Sequence, residues 1–180
     1  HVGQNLKTGK TKVIGVELRK GYTAIELFAG AGGLALGIER AGIENVLLND
    51  NDKDCVATLK KNRPGWNAVV GDIREISFVG LKSDIVTGGF PCQSFSHAGK
   101  KLGFEDTRGT LFFEFARCVK EVQPKIFVAE NVAELERHDD GRTLKAIYEV
   151  LLSLGYNVKH QVLNAVDYGT AQKRKRIFIV

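Results

Sequence analysis

The chain has 180 residues, of which 43% are hydrophobic and 26% charged, and its formal net charge is +5. That length is about one domain and is enough to bury a core without staples. The composition excludes a disordered chain, a collagen-like chain and a coiled-coil rod.

No stretch approaches the ~20 apolar residues of a membrane helix. The polar, lysine-rich start does not read as a secretory signal. Cys55, Cys92 and Cys118 lie far apart and form no Cys-x-x-Cys pair. Neither a disulfide framework nor a zinc site is indicated, and a reducing cytoplasmic setting without metal or membrane is expected. Charge gathers at the two ends. Lys7, Lys10, Lys12, Arg19 and Lys20 face a single acid, Glu17, and Lys173 to Arg176 are four consecutive bases. The body between is mildly acidic, so a phosphate-bearing partner fits.

Residues 1–21 are glycine-punctuated and basic, and read as an arm. The folded domain is expected over 22–180. Thr23 to Phe28 reads as a strand, followed by a glycine cluster and a short helix through Leu34, Leu36 and Ile38 that ends near Gly42. Val46 to Leu48 is a second strand. A helix carrying Cys55, Val56 and Leu59 is stopped by Pro64. Ala68 to Val70 and Asp84 to Thr87 are the next strands. Leu111, Phe112, Phe115, Cys118, Val119 and Val122 recur at helical spacing, and Pro124 closes that helix. Cys55 and Cys118 are read as structural, each on an apolar helical stripe. Ile126 to Ala129 is a fifth strand. Leu144, Ile147, Tyr148 and Leu151 mark another helix, with Gly155 as its stop. Val158 to Ala165 and Ile177 to Val180 are two further strands, turning around Gly169.

Apolar strands alternating with helices predict an α/β domain with helices on both faces of a mostly parallel, twisted sheet. The last two strands are joined by Val166 to Arg176, too short for a crossover helix, so that pair is predicted to be antiparallel.

Three motifs fall at the carboxyl ends of strands, where open α/β sheets bind ligands, and a fourth leads into the last strand. Phe28-Ala-Gly30-Ala-Gly32-Gly33 lets the backbone turn tightly and approach a ligand. Asp50, ending the second strand, can accept both hydroxyls of a ribose. Asp72, ending the third, can accept from an adenine amino group. The same glycine loop and Asp50 would also suit a nicotinamide oxidoreductase, but that reading leaves the remaining motifs unexplained. Gly89-Phe-Pro91-Cys92-Gln93-Ser94-Phe-Ser96 puts a thiol on a loop at that edge, a poor place for core packing. A free thiol is mostly protonated at neutral pH, so either it or its target must be activated. Glu130-Asn131-Val132 places a carboxyl where the fifth strand ends. In Gln172-Lys173-Arg174-Lys175-Arg176, strand alternation sends the two arginines to one face and the two lysines to the other, towards solvent or phosphate.

Together with Gly103-Phe-Glu-Asp-Thr-Arg108-Gly-Thr-Leu111-Phe-Phe113 and Asn164-Ala-Val-Asp-Tyr-Gly169, these blocks resemble the DNA (cytosine-5) methyltransferases, especially the bacterial restriction–modification type. The resemblance runs from Thr23 to Val180. It implies the Rossmann-like fold of S-adenosylmethionine-dependent methyltransferases and a bacterial cytosolic enzyme acting on duplex DNA. Cys92 would attack carbon 6 of a flipped cytosine, and Glu130 would hold and protonate N3. Arg176 would contact O2, and Arg174 would support the Cys92 loop. S-adenosylmethionine would lie along Phe28, Gly30, Gly32, Gly33, Asp50, Asn51, Asp72, Ile73, Pro91 and Leu111, leaving as S-adenosylhomocysteine. Asn51 stands where close relatives commonly carry an aromatic that stacks on adenine. DNA contacts would come from Gln93, Ser94, Ser96, Arg108, Lys173 and Lys175. Relatives that methylate transfer RNA usually carry Cys-Phe-Thr after Glu-Asn-Val, whereas Ala133-Glu134-Leu135 follows here. The family's target-recognition domain and terminal segment have no counterpart in the 180 residues. A shortened form of a longer chain, or one subunit of a split enzyme with a second chain as partner, is therefore expected.

Overall fold

A computed structural model describes residues 21–91 and 111–180. The basic arm, the loop from Cys92 onward and Arg108 lie outside them.

The chain runs β1 (Thr23–Leu27), α1 (Gly33–Arg40), β2 (Glu44–Asp50), α2 (Lys53–Asn62), β3 (Ala68–Val70), β4 (Ile85–Gly88), α3 (Leu111–Val122), β5 (Ile126–Val132), α4 (Arg142–Ser153), β6 (His160–Asn164) and β7 (Lys175–Ile179). The seven strands form one sheet in the order β3-β2-β1-β4-β5-β7-β6. β3 to β5 pair in parallel, while β7 runs antiparallel to both β5 and β6. The antiparallel final pair follows from the short connection, whose middle is a single 3-10 turn, Ala165–Tyr168.

Each helix is placed by its apolar stripe. Phe112, Phe115, Val119 and Val122 of α3 and Leu144, Ile147 and Leu151 of α4 pack with Ile25, Leu27, Val86, Phe127 and Ile177 into the main core. Ala35 of α1 and Val56 and Leu59 of α2 close over Leu48 and Ala68 on the opposite face. Asp52 caps α2 by accepting from the backbone N–H of Asp54 and Cys55. Cys118 is fully buried, and burial pushes its thiol up to about 12, which suits a packing role. Cys55 departs from expectation: it is only half-buried at the margin of its stripe.

Strand limits also differ from the sequence reading, most consequentially in β5 and β1. β5 continues through Glu130 to Val132, because its second half gains a new partner: Ala129, Glu130, Asn131 and Val132 pair with Ile179, Phe178, Ile177 and Arg176 of β7. β1 stops at Leu27, since Phe28 adopts a positive φ of 57° that no strand accommodates.

The chain reverses direction across the sheet at β1, which has β2 on one side and β4 on the other. That switch point opens a crevice at the carboxyl ends of β1 and β4. Among the described residues, no helix is long and apolar enough to cross a membrane.

Candidate active site at the carboxyl edge of the sheet

Three strand ends are stitched together by hydrogen bonds. The turn after β1 is anchored when Ala29 N–H donates to Asn49 O at 3.0 Å and Gly30 N–H to Asp50 Oδ2 at 2.7 Å. Asp50 Oδ1 accepts from Asp52 N–H at 2.9 Å. Each Asp50 oxygen thus spends one lone pair on the backbone and keeps one for a ligand. Asn49 Nδ2 donates to Gly71 O at 3.0 Å, tying the end of β2 to the end of β3. Gly32 has φ +89°, and a Cβ there would lie 2.5 Å from Leu59 Cδ2, so the loop passes α2 at a distance only glycine allows.

Asp72 opens a 3-10 turn, Ile73–Glu75, and accepts from the backbone and guanidinium of Arg74. The Arg74 bonds hold its carboxyl down to about 2. Ile73 is 3% exposed with its side chain in the main core, so it offers a ligand its backbone rather than its side chain. Asn51 is exposed at the end of β2.

A cavity of about 570 Å³ lies beside this cluster. The first turn of α1 and its loop contribute Phe28, Ala29, Gly33 and Leu34, and the catalytic candidates Glu130, Arg174 and Arg176 line the same space. Arg176 Nε donates to Glu130 Oε1 at 3.0 Å, with both side chains about three-quarters covered. Gly89 leaves the carboxylate its place: a Cβ there would stand 2.9 Å from Glu130 Oε2. Asn131 is buried and its Nδ2 donates to Phe90 O at 2.9 Å, fastening the loop that leads to Pro91. Arg174 is held by its own backbone, which donates to Asn164 Oδ1 at 3.0 Å.

The structure thus gathers Phe28, Gly33, Glu130, Arg174 and Arg176 around one cavity. Gly30, Gly32, Asp50, Asn51, Asp72, Ile73, Pro91 and Leu111 sit at the neighbouring strand ends and at the start of α3, outside that cavity's lining. Lys173 and Lys175 are exposed, and Lys175 lines a second, smaller depression with Gln161 and Asn164. Cys92, Gln93, Ser94, Ser96 and Arg108 lie outside the described residues. Among the described residues, no group of three or more His, Cys, Asp or Glu is placed to hold a metal ion.

Sequence reasoning missed Glu26. It is 2% exposed on β1, lines the cavity, and its Oε2 has no hydrogen-bond partner among the described residues. Burial pushes its carboxyl up to about 8. The available signal was its position, an acid inside an otherwise apolar strand buried on both faces.

The sheet order brings the glycine loop, the strand-end acids and the Glu130–Arg176 pair to one edge of the molecule. Residues 22–180 match the family model for C-5 cytosine-specific DNA methylases, and the chain belongs to that family. It is 56% identical over 162 residues to the type II methyltransferase M.Eco47II of Escherichia coli, covering 88% of this chain and 39% of that protein. It is 55% identical over 168 residues to the type II methyltransferase M.PspPI of a Psychrobacter strain, covering 92% of this chain and 40% of that protein. The chain therefore spans well under half the length of these curated relatives. A prophage-encoded DNA modification methyltransferase of E. coli superposes with a TM-score of 0.72 at 26% identity, over 88% of this chain and 46% of that one.

Proposed function

We propose that this chain carries the cofactor-binding and catalytic part of an enzyme that methylates carbon 5 of cytosine in duplex DNA. The observation that carries the reading is that the glycine-loop edge, with the orphaned Oε2 of Glu26, and the Glu130–Arg176 pair line the same cavity. Cofactor and base would enter from these two sides.

The residues present suit S-adenosylmethionine. Asp50 retains free lone pairs for ribose hydroxyls, Asp72 and the Ile73 backbone face the adenine end, and Glu26 offers an orphaned carboxyl to a cationic amino group. When bound, that cofactor supplies an electrophilic methyl group and leaves as S-adenosylhomocysteine.

In this reading the Cys92 thiolate forms a bond to carbon 6 of a cytosine turned out of the duplex. The C5–C6 π pair moves to carbon 5, and Glu130, held by Arg176, gives a proton to N3 so that the ring never carries a full negative charge. Carbon 5 takes the methyl group. A base then removes the carbon-5 proton, N3 returns its proton to Glu130, the C5–C6 double bond re-forms and Cys92 departs as the thiolate. Gln93, Ser94, Ser96, Arg108, Lys173 and Lys175 are assigned to DNA contacts. Choice of target sequence is assigned to residues beyond the matched region, in the same polypeptide or in a second chain.

Duplex DNA carrying 5-fluorocytosine tests the covalent step, because fluorine at carbon 5 cannot leave as a proton does and the adduct stalls. A protein–DNA conjugate that survives denaturing electrophoresis, requires S-adenosylmethionine and is absent in Cys92→Ser is expected. A conjugate formed equally well by Cys92→Ser would contradict the mechanism.

A further inference from the structure

Arg117, on α3, ties that helix to the segment after β3. Its Nε donates to Glu114 Oε2 at 2.7 Å and its Nη1 to Glu121 Oε1 at 3.2 Å. Such pairs one turn apart on a helix are ordinary surface features worth little. The third bond is different in kind. Nη2 leaves the helix and donates to the Ile73 carbonyl at 2.7 Å, across 44 positions of sequence. The guanidinium carbon also lies 5.1 Å from the centre of the Phe78 ring, and Glu121 Oε2 accepts from Phe78 N–H at 2.9 Å. The segment after β3 is therefore clamped to α3 at both Ile73 and Phe78. On its other side the same segment is tied to β2 through Asn49 and Gly71.

We propose that Arg117 is a positioning residue for the adenosine half of the cofactor site. By fixing the Ile73 carbonyl it sets the backbone of the Asp72–Ile73 turn relative to α3, whose first residue is Leu111, and so sets the width of the slot between them. Ile73 turns its side chain into the core, so whatever it contributes to a ligand depends on where its backbone is held. The inference rests on the reading of Asp72, Ile73 and Leu111 as the adenine wall. The forked, planar guanidinium suits the task, because it makes three bonds in three directions without adjustment.

Calorimetric binding of S-adenosylhomocysteine and of 5′-methylthioadenosine, which keeps the adenosine end alone, tests it on this chain. Arg117→Met is expected to weaken both ligands by the same factor, about tenfold, the scale of a lost charge-assisted hydrogen bond. Glu114→Gln disturbs the same helix network without touching Ile73, and should leave both affinities within twofold. Arg117→Lys, which keeps one donor, should recover part of the loss and serves in place of Arg117→Met if that variant does not fold. Backbone amide exchange at residues 73–75 should quicken in Arg117→Met and not in Glu114→Gln. Affinities unchanged in a folded Arg117 variant, or lowered equally by Glu114→Gln, would overturn the inference. If the wild-type chain binds S-adenosylhomocysteine but not 5′-methylthioadenosine, the reading of the adenine wall fails and the inference with it.

Discussion

Replacing Glu26 with Gln should make the ligand-free protein more stable at alkaline pH while weakening its hold on S-adenosylhomocysteine. Burial raises the Glu26 carboxyl from 4.5 to about 8, with no partner on Oε2 to offset the cost of charging it. Between those values the unfolded chain is ionised and the folded one is not, so folding takes up a proton. The contribution of the neutral acid is complete below 4.5 and is lost as pH rises through about 8. Gln has no such dependence. The stability of wild type relative to Glu26→Gln should therefore fall across that interval, by roughly 4 kcal/mol in all. A difference that stays flat with pH would contradict this. Among the described residues, the other charged groups of the cavity do not supply a counter-charge to Glu26: Glu130 is itself acidic and Arg176 is bonded to it, while no bond from Arg174 to Glu26 is formed. A ligand's cationic amino group would supply one and drive the proton off. Calorimetry at about pH 7 in two buffers of different ionisation heat should show close to one proton released on binding by wild type and none by Glu26→Gln. Binding to both without any dependence on buffer would remove Glu26 from the cofactor site and leave the cofactor assignment standing.

The second large effect is expected at Arg176. Its 3.0 Å bond to Glu130 Oε1 orients the carboxyl proposed to act at N3, leaving Oε2 towards the Gly89 side of the cavity. Truncation to Ala leaves the largely covered Glu130 carboxyl without its Arg176 partner and removes a donor from the site. Loss of one such preorganised donor costs on the order of 100- to 1000-fold in turnover. Arg176→Ala and Glu130→Gln should each lower methyl transfer by that scale, with S-adenosylhomocysteine affinity changed little. The double variant should be hardly worse than either single one, because the two act as a unit. Multiplying effects would show that Arg176 and Glu130 act independently.

Much of this arrangement was legible in the residues. Helical spacing of Phe112, Phe115, Val119 and Val122 placed α3, and the short connection after β6 gave the antiparallel pair without any tertiary information. The glycine loop, Asp50 and Asp72 marked strand ends because turns and acids interrupt buried apolar runs. What escaped depended on partners distant in sequence. The extension of β5 through Glu130 comes from β7, some 45 positions later, which no local pattern encodes. Glu26 lies within the first strand, where burial on both faces made an acid a signal. Arg117, with acids three residues before and four after, had the pattern of a solvated helix surface, and only the fold brings the Ile73 carbonyl to it.

Transfer of a labelled methyl group from S-adenosylmethionine to mixed-sequence duplex DNA tests most directly whether these residues carry the chemistry. The label should be recovered as 5-methyldeoxycytidine and should disappear in Cys92→Ser. Label that persists in Cys92→Ser, or that lands on another position of the base, would contradict it.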